Sequence, residues 1–172
     1  MGIGDFMLKN GQMGTGLSWA LATGALCAVV LANGTGSAAT RLNDWAGYWT
    51  GGGKVQLSNG SSEDVKCVVT YKVTGQQLRQ NIRCAGQGFS FNGTAELDVG
   101  LNGAVTGNWT ENTYSANGAV TGKATDSGFK LAISGATFTT VMDAATTSCK
   151  QTLDIIPTGL DVSRIAIGLG KC

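Results

Sequence analysis

The segment DVKCVVTYKVTGQQLRQNIRCAG, Asp64–Gly86, constrains the fold more than any other. On both sides of Gly75-Gln76 apolar and polar residues alternate with the period of two that gives a strand one face of each kind. A two-residue loop of the Gly-X type closes such a pair, because glycine accepts the positive φ of the first loop position. That loop sets Thr74 opposite Gln77 and Cys67 opposite Cys84, at a non-hydrogen-bonded pair with α-carbons about 4.5 Å apart. The spacing predicts a Cys67–Cys84 disulfide. The same register turns Val65, Val69, Tyr71, Val73, Leu78 and Ile82 inward, and Lys66, Lys72, Arg79 and Arg83 outward.

The rest of the chain follows this grammar. NGAVTG occurs twice, at 102–107 and 117–122, and Asn-Gly between alternating runs is a hairpin signal. Each copy is expected to turn the chain within one meander. For the first, a three-residue loop Asn102–Ala104 sets Leu101 against Val105, Val99 against Gly107 and Leu97 against Trp109. A change of aromatic parity between Trp109 and Tyr114 suggests a bulge in one long strand, 105–116. Further turns are marked by SNGSSE, TDSG and IPTGL, and no window carries apolar residues at helical spacing. Eight to ten short strands predict an all-β domain, a single antiparallel up-and-down barrel, with a two-sheet sandwich as the alternative. Asn59, Asn92 and Asn108 stand in N-x-S/T sequons, which turn and strand-edge chemistry explains without glycosylation.

Residues 1–39 resemble a cleaved secretory signal. Leu17–Ala32 is an uncharged apolar run, short of the ~20 residues that span a bilayer, and Ser37 and Ala39 precede Thr40 as small residues before a cleavage site. The segment before that run is long for a signal, so both Met1 and Met7 are candidate starts. A barrel domain is therefore expected over 40–172, in the periplasm or the medium, with no membrane insertion after cleavage. Without Lys9 and Asp5 the mature part keeps 11 basic and 10 acidic residues, which gives no electrostatic basis for binding nucleic acid. It also keeps four cysteines. With Cys67 and Cys84 paired, Cys149 and Cys172 are left to pair across the last hairpin, about one residue out of register.

The chemistry that is missing is informative. There is no histidine, which excludes Ser-His and Cys-His nucleophile arrangements. The cysteines lack the close spacing of zinc sites, so neither a metal nor another cofactor is expected. Glu63-Asp64 diverge to opposite faces of a strand, and Glu96 and Asp98 share the face opposite Leu97 and Val99, so no carboxylate pair converges.

Gly47-Tyr48-Trp49, in NDWAGYWTGGG, resembles the G-x-W that opens the first strand of lipocalins and their calycin relatives, including the avidins. The resemblance implies a barrel closed at one end by Trp49, with Arg164 of the last strand packed across it. The mature chain also resembles a group of small exported bacterial proteins with no assigned function, which share the G-x-W strand, Cys67–Tyr71, Ile82–Ala85 and Pro157–Asp161. The expectation is a non-enzymatic binding module for a small apolar ligand, lined by Tyr71, Trp109, Phe129 and Phe138. The alternative is a structural or protein-interaction component of the bacterial envelope, its barrel filled by its own side chains. Oligomeric state is not legible.

Overall fold

The computed structural model describes Leu42–Cys172, and the segment read as a signal lies outside the described residues. Ten strands run in sequence order: β1 (Gly47–Leu57), β2 (Ser62–Thr74), β3 (Gln77–Ala85), β4 (Ser90–Val99) and β5 (Ala104–Glu111). They continue as β6 (Ala116–Ala124), β7 (Gly128–Gly135), β8 (Thr139–Thr146), β9 (Lys150–Thr158) and β10 (Val162–Gly170). Each pairs antiparallel with its sequence neighbours, and β1 pairs with β10 to close an up-and-down, calycin-like barrel. Closure leaves no unpaired edge, which an open sheet of this length would carry.

The first hairpin has the register its sequence dictates. Thr74 faces Gln77, Cys67 faces Cys84, and Gly75 takes φ +59°. The bridge joins α-carbons 4.1 Å apart. Burial along β3 alternates strictly, with Leu78, Gln80, Ile82 and Cys84 inside. Cys149 and Cys172 form the second bridge just beyond the β9–β10 ladder, whose last pair is Gly170–Lys150.

Two turn assignments need correction. At the first NGAVTG, Val99 rather than Leu101 faces Val105, and Leu97 faces Gly107. The slip is two residues, so every side chain keeps its face. Leu101 moves into the turn, where Gly103 has φ +77° and Asn102 Oδ1 accepts the Ala104 N–H at 3.0 Å. The second NGAVTG is no turn at all. Asn117 and Gly118 lie within β6 opposite Thr110 and Trp109. A Cβ on Gly118 would sit 2.8 Å from the Ser134 carbonyl oxygen, so glycine serves a close strand approach there. The chain reverses at Asn112–Ser115 instead, with Ser115 at φ 55°, so the parity change reflects this turn rather than a bulge.

Candidate functional site

The two ends of the barrel differ. At the end where β1 begins, Trp49 is fully buried and its Nε1–H donates to the Trp45 carbonyl at 2.8 Å. Trp45 is itself buried and borders the barrel interior, in edge contact with Tyr71 and with its ring centroid 4.8 Å from that of Phe129. The cation across Trp49 is Lys171, whose Nζ lies 4.6 Å from the ring centroid and donates to the Asp44 carbonyl at 2.6 Å. Arg164 does not take that place. It sits near the start of β10, away from the plug, and its exposed guanidinium grips Asp154 through two contacts of 2.8 Å. The pairing holds the Asp154 carboxyl below its usual value.

Above this floor the interior is open. A cavity of about 540 Å³ runs up the barrel, within the range of small-molecule sites. Tyr71, Trp109, Phe129 and Phe138 all border it, so the four side chains picked from the sequence share one space. Trp109 lies between Phe91 and Phe138, with centroids 6.0 Å and 5.8 Å away. The cavity reaches the far end of the barrel, where its lining includes the exposed Tyr114 and Leu160 of the β5–β6 and β9–β10 loops.

Part of its small polar content gathers around Tyr71. The Tyr71 hydroxyl accepts from Gln80 Nε2 at 2.8 Å and donates to Gln151 Oε1 at 3.1 Å. Burial pushes this hydroxyl far above its ordinary range and outweighs the two amide contacts, which act the other way; it stays protonated. Gln151 Nε2 is buried without a partner, alone in this among the described residues.

Glu111 was not picked from the sequence, because an isolated glutamate at a strand end carries no signature. It points inward at the cavity wall and is 2 % exposed. Its carboxylate accepts the backbone N–H of Asn92 and of Thr113, each at 2.9 Å, and that of Tyr114. Burial raises its carboxyl pKa, but these N–H contacts outweigh burial and the net value lies below the ordinary 4.5. A carboxyl lowered by folding contributes stability above its unfolded value, and that stability is lost as pH falls through the folded value. Glu111→Ala should therefore cost about 2 kcal/mol at neutral pH, by stranding buried N–H groups, and should flatten the acid side of the stability profile. Urea melts at neutral pH and in mild acid check this; parallel acid slopes for variant and wild type would contradict it.

Asp161 also borders the cavity, at its mouth, whereas the carboxylates considered from the sequence face away from it or serve loops. Glu96 pairs with Arg79 at 2.6 Å on the outer wall, Asp98 accepts from Gln77, and Asp64 pairs with Lys54. Glu63 accepts the Gly88 N–H at 2.6 Å and so ties down the β3–β4 loop. Of the sequon residues, Asn59 accepts the Ser61 N–H at 2.9 Å, an Asx turn. Among the described residues no three His, Cys, Asp or Glu side chains gather as a metal site, and no helix is long and apolar enough to cross a membrane.

No family model matches the chain, and no curated protein matches it significantly. Solved structures share its fold. The S-type phycobiliprotein lyase CPES from Guillardia theta is similar with a TM-score of 0.56 at 10% identity, covering 78% of this chain and 91% of that one. Rv2717c from M. tuberculosis is similar with a TM-score of 0.58 at 15% identity, covering 78% of this chain and 97% of that one. At such identities the likeness extends to the fold alone.

Proposed function

We propose that this protein is an exported, non-enzymatic binding module whose barrel holds one small apolar ligand. The observation that carries this reading is the cavity of about 540 Å³, bounded by aromatic and aliphatic side chains and reaching the surface between loops. An envelope component with a filled barrel has no use for that space, because unfilled volume in a core forfeits dispersion contacts. The two disulfides support export, since such bridges persist in oxidising compartments. That one protein of like fold is named a lyase gives no reason to assign chemistry here. Apolar burial at ~25 cal/mol per Å², set against the costs of association, leaves micromolar affinity within reach of such a pocket.

Diphenylhexatriene, an uncharged hydrocarbon that fluoresces in apolar surroundings, should gain emission with the protein and saturate at about one per chain. Trp109→Phe should weaken its binding several-fold. The absence of saturable emission, together with native mass spectra free of any retained small molecule, would overturn this reading.

A further inference from the structure

Among the described residues, the cavity borders contain no basic side chain. Of the described residues that line it, only Glu111 and Asp161 carry a formal charge at neutral pH, and both are acidic. Nine of the ten basic residues among Leu42–Cys172 are exposed. The tenth, Lys171, lies across Trp49 at the closed end. A carboxylate that entered would therefore lose its water and gain no cation. One that stayed at the mouth, with only its tail inside, would sit beside Asp161.

What the interior does offer is neutral polarity. Tyr71 and Gln80 border the cavity and are hydrogen-bonded to each other, with Gln151 behind them as the acceptor of the Tyr71 hydroxyl. Thr140 of β8 adds a further hydroxyl to the cavity lining, away from that pair. Neutral amide and hydroxyl groups such as those of Gln80 and Tyr71 exchange hydrogen bonds with a carbonyl or hydroxyl oxygen and offer no charge to a carboxylate.

Resting on the binding-module reading, we propose that the ligand is an uncharged amphiphile: a hydrocarbon body ending in a carbonyl or hydroxyl group. Its polar end lies at Tyr71 and Gln80 and its body extends toward Tyr114 and Leu160. The barrel discriminates against the carboxylate of the same chain length.

The test is displacement of diphenylhexatriene by decanol, methyl decanoate and decanoate at mildly alkaline pH, each below its solubility limit. Decanol and methyl decanoate should displace the probe at concentrations roughly tenfold or more below decanoate. Acidification that protonates decanoate should close most of that gap without moving decanol. Tyr71→Phe should weaken decanol about fivefold relative to the probe, which has no polar end. Decanoate competing as well as decanol at alkaline pH would overturn the charge selectivity while leaving the binding module intact. Equal losses for decanol and probe in Tyr71→Phe would overturn the placement of the polar end. If the wild type binds none of these molecules, the module reading itself falls and takes this inference with it.

Discussion

Trp49→Ala should destabilise the barrel by about 3–5 kcal/mol, the usual cost of deleting a buried aromatic ring. The side chain is fully buried, and three interactions converge on it. Its indole N–H satisfies the Trp45 carbonyl, its face receives Lys171, and it stands opposite the fully buried Val69 in the β1–β2 ladder. Trp49→Phe keeps most of the volume but strands the carbonyl, so a smaller loss of roughly 1–2 kcal/mol is expected. The cation partner is separable by a double-mutant cycle. Lys171→Ala and Trp49→Phe should couple by about 0.5–1 kcal/mol, whereas Arg164→Ala and Trp49→Phe should be additive. Coupling to Arg164 instead would overturn the assignment of Lys171 as the lid. Guanidinium melts of the variants give all of these values.

That exchange of Arg164 for Lys171 shows where sequence reasoning stops. The G-x-W segment places an indole at the barrel floor, and alternation places it inside; both are local facts. Which cation meets it depends on where β10 ends relative to β1, a long-range register that no short pattern encodes. Arg164 faces Gln56 near the other end of β1, whereas the chain beyond Gly170 emerges beside Thr50, next to Trp49. The β2–β3 register was legible because a two-residue loop leaves one solution, and Cys67 opposite Cys84 agrees with it. The second NGAVTG misleads for the opposite reason. Asn-Gly favours a turn, but Glu111 accepts two backbone N–H groups of the segment Asn112–Ser115, from Thr113 and Tyr114, and ties them to Asn92 of β4, so the reversal falls five residues earlier than the dipeptide would place it. Alternation identifies Tyr71, Trp109, Phe129 and Phe138 as inward. It does not say whether inward side chains meet or leave a gap, because that depends on strand number and tilt. Trp45 was missed because it precedes the first strand, where period-two patterning gives no orientation.

Reduction of both disulfides should bring the protein close to unfolding. Cys67–Cys84 and Cys149–Cys172 close separate segments, with sequence separations of 17 and 23 and no overlap. In the chain-entropy description each restricts the unfolded ensemble by about 3 kcal/mol, and non-nested loops restrict it independently. The combined loss of about 6 kcal/mol is comparable to the whole stability of many domains. The two bridges should nonetheless behave differently. Cys67–Cys84 lies between paired strands, and Cys67 and Cys84 are 2 % and 5 % exposed, so mild reductant should reach it only through opening of the barrel. Cys172 is exposed at the chain end, and its bridge holds Lys171 over Trp49 from a position one residue away. Mild reduction should therefore open Cys149–Cys172 first and loosen the lid before the wall. Mass-resolved thiol labelling along a reductant series, with a thermal melt at each step, measures both effects. Labelling of Cys67 ahead of Cys172, or a fully reduced protein that melts within a few degrees of the oxidised one, would contradict the account.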